Sequence, residues 1–133
     1  MIKMFSFTGA KKIVFGSGSF AFLPQHLGDL KAKRPLIVLD KNLAATGFRE
    51  QVSQILKQGG MQFDLFDQVE PEPPLELADA AARLAITKKC DAVVGIGGGS
   101  SMDVAKAVSA LAANRGKAVD YLGLNKVPGP GLP

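Results

Sequence analysis

Three consecutive glycines followed by two serines and an acid, Gly97-Gly98-Gly99-Ser100-Ser101-Met102-Asp103, are the residues best suited to chemistry in this chain. They stand where a short apolar run gives way to a helical pattern. Glycine removes every side chain at that junction, so an anion can reach the unpaired N–H groups and the positive end of the helix dipole. Ser100 or Ser101 adds a hydroxyl donor. Asp103 has two compatible readings. With Ser100 it has the spacing of a capping box, the acid reaching back to the helix start; the same carboxylate can instead face a bound cofactor. Lys106, three residues further on, can pair with Asp103.

A second glycine stretch competes for the same role. Gly16-Ser17-Gly18-Ser19-Phe20-Ala21 fits the G-x-G-x-x-G/A pattern of dinucleotide-binding turns. Asp40 closes the next apolar run, where an acid that accepts hydrogen bonds from a ribose is expected. The pattern is short and permissive, however, and a tight turn feeding a helix explains the same residues. On glycine content alone both loops stay open.

The elements that must position these loops follow from periodicity. Residues 4–8 and 12–15 read as two strands around a Gly9-Ala10 turn, an N-terminal β-hairpin. Ser19 can cap a helix running to about Leu30, with Phe22, Leu23, Leu27 and Leu30 inward. Leu36-Ile37-Val38-Leu39, opened by Pro35, is a continuous apolar run of the kind buried on both faces of a parallel sheet. Helical spacing of Phe48, Val52, Ile55 and Leu56 predicts a helix over 46–58, ended by Gly59-Gly60. A strand over 61–66, a Pro- and Glu-rich loop over 69–74 and an Ala-rich helix over 75–88 come next, the helix with Leu77, Ala81, Leu84 and Ala85 on one face. A buried strand over 91–96 leads into the three glycines and a helix over 101–114, closed by Arg115-Gly116. After the hairpin the order is α-β-α-β-α-β-α, which predicts an α/β fold with a parallel sheet and helices on both faces. Residues 127–133 have no pattern of their own and read as a linker-like tail to one domain spanning 1–133.

Composition narrows the function classes. The 133 residues are 47% hydrophobic and 21% charged, an ordinary globular balance. The net charge of +4 comes from scattered Lys and Arg without interleaved aromatics, a solvated surface rather than a nucleic-acid face. The N-terminus lacks the apolar core of a signal peptide, and no apolar run approaches the roughly 18 residues of a membrane span. A single cysteine, Cys90, excludes an internal disulfide and suits a reducing cytoplasm, the expected location. It reads as a small buried hydrophobe rather than a nucleophile, and the single histidine, His26, as a partly exposed polar group. With one histidine, any transition-metal chemistry must be completed by residues outside these 133.

Gly97-Gly98-Gly99-Ser100-Ser101-Met102-Asp103-Val104-Ala105-Lys106-Ala107 resembles the G-G-G-S-x-x-D-x-A-K-A signature of the iron-containing (group III) alcohol dehydrogenases. Phe15-Gly16-Ser17-Gly18 is similar to that family's early F-G-x-G turn. Leu36-Ile37-Val38-Leu39-Asp40-Lys41 resembles its L-I-V-T-D-K strand end, Val69-Glu70-Pro71-Glu72-Pro73 its V-x-P-N-P loop, and Asp120-Tyr121-Leu122-Gly123 its D-Y-x-G segment. The matches run in order along essentially the whole chain.

The resemblance implies a Rossmann-like nucleotide-binding domain and decides between the glycine loops. It places the pyrophosphate of a nicotinamide dinucleotide on Gly97, Gly98, Gly99 and Ser100, with Ser101 beside them, and makes the earlier turn structural. Asp40 would meet the adenosine ribose, favouring NAD over NADP, and Asp103 would lie toward the nicotinamide. Glu72 stands where the family often has Asn, which puts that contact with adenine or ribose in doubt. The family's all-helical second domain, with one Asp and three His for a divalent metal (iron or zinc) and a T-T-x-G-T-G-S-E loop, has no counterpart in these 133 residues. The expected function is therefore the cofactor half of an enzyme exchanging hydride between small alcohols and aldehydes or ketones, inactive by itself, with a homodimer through the hairpin edge as one option. Two alternatives stand beside it. Dehydroquinate synthases also resemble this half but generally lack the A-K-A continuation present at Ala105-Lys106-Ala107. A non-catalytic nucleotide-binding or assembly module is not excluded by composition. Glycerol dehydrogenases, closer relatives, typically carry Lys where Ser100 stands.

Overall fold

The computed structural model describes residues 9–133. Three parallel strands, β1 (Pro35–Asp40), β2 (Asp64–Val69) and β3 (Ala92–Ile96), form a sheet in the order β2-β1-β3. The helices are α1 (Leu23–Asp29), a single turn α2 (Lys41–Leu43), α3 (Arg49–Gln58), α4 (Leu75–Thr87) and α5 (Gly99–Asn114). This is the expected α/β arrangement, with crossover helices joining parallel neighbours.

The central strand explains the fold. Leu36, Ile37, Val38 and Leu39 are all 0% exposed, each contributing roughly 1.5–3 kcal/mol of burial. Their side chains alternate between two cores. Leu36 and Val38 join Val69, the alanines Ala78, Ala81, Ala82 and Ala85 of α4, and Val104, Val108 and Leu111 of α5. Ile37 faces the other way, onto Leu27 of α1 and Val52 and Leu56 of α3. Helices thus cover both faces of the sheet, as the unbroken apolar run requires.

Asp91 sets the approach to β1. Its carboxylate accepts the backbone N–H groups of Lys33 (2.8 Å) and Arg34 (2.9 Å), while the Arg34 side chain reaches Asp64 at the start of β2 at 2.8 Å. The hydrogen bond to Asp64 holds the Arg34 pKa above its usual value. Cys90, buried beside this group, has its thiol pushed up to about 11, chiefly by burial and then by the Asp64 charge. It is a packed small side chain, as its sequence context suggests.

Several expectations shift. β2 begins at Asp64 rather than at residue 61, because Met61 and Phe63 first pack onto the α3 side before the ladder opens at Leu36↔Asp64. The first helix is shorter than predicted. A 3₁₀ turn, Ser19–Phe22, precedes α1, left-handed Gly18 occupies the capping position, and Ser19 makes no side-chain cap. Leu27 is buried, but Phe22 and Leu30 are 54% and 56% exposed, since so short a helix presents only one turn to the core. Of the predicted hairpin, residues 4–8 lie outside the described residues. Residues 12–15 belong to no strand among the described ones, and Ile13 and Phe15 stand exposed.

The segment 127–133 is fastened to the domain. Ser109 and Leu132 exchange hydrogen bonds, Asn114 donates to the carbonyls of Gly129 and Pro130, and the Val93 N–H donates to the Pro133 carbonyl at 2.8 Å.

Candidate cofactor site at the carboxyl edge of the sheet

Parallel strands bring their carboxyl ends to one edge, and ligands of open α/β sheets bind in the crevice outside it. Leu39 pairs with Ile96, so the next residue of each strand, Asp40 and Gly97, meet there. Gly97 has φ +139°, a conformation that L side chains rarely adopt, and a Cβ on it would lie 2.7 Å from Ser101 Oγ and 2.9 Å from Asp40 Cβ. Gly98 and Gly99 differ: a Cβ there would meet nothing within 4 Å. Gly97 is packed against its neighbours, and Gly98 and Gly99 stand open above it.

At this glycine run α5 begins. Gly98 is its capping residue, and no side chain caps the helix. The Met102 N–H reaches the Gly98 carbonyl at 3.2 Å, so the N–H groups of Gly99, Ser100 and Ser101 precede the first intrahelical bond and point outward. The capping box expected from Ser100 and Asp103 does not form. Gly98 holds the extended capping conformation without it, and Asp103 turns forward to Lys106 at 3.4 Å. Both of these side chains are more than three-quarters exposed, 76% for Asp103 and 77% for Lys106.

The sequence candidates therefore separate into two groups. Asp40, Gly97, Gly98, Gly99, Ser100 and Ser101 converge on one edge. Asp40 caps the turn that follows it, one carboxylate oxygen accepting from Leu43 N at 2.8 Å, while its second oxygen makes no hydrogen bond among the described residues. Ser101 is fully buried and its hydroxyl has no hydrogen-bond partner, so it underlies the loop instead of lining it. Asp103 and Glu72 stand apart. Glu72 is exposed in the loop leaving β2 and has φ +53°, a left-handed conformation that Asn tolerates better than Glu. Asn at such a position therefore has a backbone reason as well as an amide to offer.

The earlier glycine turn lies elsewhere in the architecture. Gly16 and Gly18 both have positive φ and Ser19 N bonds to Gly16 O, but the turn leads into the short Ser19–Phe22 helix and follows no strand of the sheet.

Two features were not read from the sequence. Gly95, inside β3, lets α5 approach closely: a Cβ there would sit 2.8 Å from Ala105 Cβ and 3.3 Å from Met102 Cα. A glycine interrupting an apolar strand was the available signal. At the same edge Lys41 pairs with Glu70, and Arg49 Nη1 lies 3.2 Å from Asp67 Oδ2, contacts that need the β1–β2 pairing to become visible.

A parallel sheet with helices on both faces and a glycine loop at the carboxyl edge defines a Rossmann-like α/β domain. Within that class, the chain belongs to the iron-containing alcohol dehydrogenase family, whose model matches residues 10–133. It is 37% identical over 120 residues to the NAD-dependent methanol dehydrogenase of Bacillus methanolicus, covering 90% of this chain and 32% of that protein. To the sulfoacetaldehyde reductase of Bilophila wadsworthia it is 34% identical over 123 residues, 92% of this chain and 32% of that one. Its fold matches that of NADH-dependent butanol dehydrogenase A from Thermotoga maritima with a TM-score of 0.84 at 30% identity, over 96% of this chain and 33% of the other. The chain spans about a third of the length of the relatives it matches. Among the described residues no helix is long and apolar enough to cross a membrane, and no three His, Cys, Asp or Glu side chains cluster as metal ligands.

Proposed function

We propose that this chain is the cofactor-binding half of an NAD-dependent, metal-dependent alcohol dehydrogenase that interconverts alcohols and aldehydes or ketones. The observation that carries the proposal is the convergence of Asp40 with the open Gly98-Gly99 step and the uncapped start of α5. The pyrophosphate would rest on Gly97, Gly98, Gly99 and Ser100, receiving N–H groups and the dipole of α5. The free oxygen of Asp40 would accept from the adenosine ribose hydroxyls and repel a 2′-phosphate, favouring NAD over NADP. Ser101 would hold the loop from beneath, and Asp103, further along α5, would face the nicotinamide half. Bound there, the dinucleotide carries the hydride.

The chain's own task is orientation. Its residues fix the dinucleotide against a rigid sheet edge and supply no proton-transfer group. The divalent metal, iron as in the family's name or zinc, is assigned to the part of the relatives that this chain does not match, as is the alcohol pocket. The NAD-dependent relatives, and the A-K-A run at Ala105-Lys106-Ala107, favour this reading over a dehydroquinate synthase-like lyase.

Calorimetric titration of NAD into the 133-residue chain tests the proposal. Saturable binding, weakened at least tenfold by Gly98→Val, is expected, together with no alcohol oxidation by the chain alone. Absence of NAD binding at millimolar cofactor would overturn the cofactor role and leave the assembly module.

A further inference from the structure

The ion pairs where β1 and β2 end bear on which dinucleotide this edge accepts. Asp40 pairs with Val69 in the ladder, which sets the following residues, Lys41 and Glu70, side by side. The Lys41 ammonium is held by the Glu70 carboxylate, and this hydrogen bond keeps its pKa above the usual lysine value. Just beyond, Arg49 at the head of α3 is held by Asp67 of β2 at 3.2 Å. The first two cations after Asp40 along the chain are thus engaged by carboxylates from β2 and its exit loop.

A 2′-phosphorylated adenosine ribose needs a cation close to the strand end, where enzymes that accept it place a basic side chain. Lys41 adjoins Asp40 and is the nearest such group in the chain. We infer that Glu70 is a specificity-determining residue: by holding Lys41 it denies a 2′-phosphate its counter-ion, a barrier separate from the repulsion by Asp40. The inference rests on the ribose site proposed at Asp40. Asp40, Lys41 and Glu70 together carry one net negative charge; neutralising Glu70 removes that charge and frees an ammonium beside the ribose. The pair is half exposed, with 53% and 58% of the two side chains accessible, so solvent screens it and the selectivity it adds is severalfold rather than many orders of magnitude.

The test is titration of NAD and NADP into the 133-residue chain and into four variants, each checked for folding by circular dichroism. Glu70→Gln is expected to tighten NADP about threefold and to leave NAD within about a factor of two. Adding Lys41→Met to Glu70→Gln abolishes the gain, whereas Lys41→Met alone gives none: it leaves Glu70 unpaired beside Asp40, so NADP binds no tighter than in the parent. Asp40→Asn, which can still cap Leu43, weakens NAD. An unchanged NADP:NAD ratio in Glu70→Gln, with NAD still sensitive to Asp40→Asn, overturns the role of Glu70 and leaves the ribose site standing. NAD affinity indifferent to Asp40→Asn overturns the ribose site and this inference with it. Should Glu70→Gln fail to fold, Glu70→Thr answers the same question with a shorter neutral side chain.

Discussion

Gly97 and Asp40 touch across the ends of neighbouring strands so closely that the glycine has no room for a β-carbon, which would come within 2.9 Å of Asp40 Cβ. The contact joins the phosphate loop to the residue proposed for the ribose, and it separates two kinds of glycine in one short run. Gly97 is required by the fold. Gly98 is open on every side, and its φ of −81° suits any residue.

That difference is measurable. Gly97→Ala should destabilise the chain by roughly 1–3 kcal/mol, through both its positive φ and the collision with Ser101 and Asp40. Gly98→Val should stay within about 1 kcal/mol of the parent, the range of a changed helix cap, yet lose NAD affinity by blocking the loop mouth. Urea denaturation and NAD titration on both proteins give the comparison. Equal loss of stability in the two would remove the distinction.

Gly95 sets the depth at which α5 lies on the sheet. Gly95→Ala should cost roughly 1–3 kcal/mol, because its Cβ would press on Ala105 Cβ at 2.8 Å and on the α5 backbone at Met102. Moving the start of α5 also displaces the N–H groups above Gly98, so NAD affinity should fall along with the denaturation midpoint. A stable variant with unaltered affinity would show that helix and strand do not depend on this contact.

Alkaline pH should weaken the fold through Cys90. Burial, and then the Asp64 charge, oppose the thiolate and push the thiol up from 9.0 to about 11. Between those values the unfolded chain holds fewer protons, so this component of stability is full below pH 9 and declines as pH rises toward 11. Cys90→Ala removes this component. Denaturation midpoints of the two proteins from pH 7 to 11 should diverge above pH 9; parallel decline would assign the loss to other groups.

What the sequence made legible is what local pattern can carry. The run Leu36-Ile37-Val38-Leu39 announced a central strand because both its faces are buried, and the glycine junction before α5 announced itself because no other residue suits Gly97. Boundaries set by neighbours were harder to read. The start of β2 depends on where Met61 and Phe63 find the α3 core, which no periodicity within 61–66 records. The spacing of Ser100 and Asp103 permits a backward cap beside a cofactor-facing role, but the extended Gly98 holds the capping position, which spacing alone does not reveal. The pairs Lys41–Glu70 and Arg49–Asp67 join residues distant in sequence, and only the parallel register of β1 and β2 brings them together.

The alternation of side chains along β1 has a consequence for how the domain comes apart. One strand supplies the contacts of the α4–α5 layer through Leu36 and Val38 and those of the α1–α3 layer through Ile37. β2 and β3 also touch each layer, but losing β1 strips fully buried contacts from both at once, so the two sides should melt together as one cooperative unit. The edge bearing Asp40 and Gly97 lies at the ends of β1 and β3, so its shape depends on that same unit.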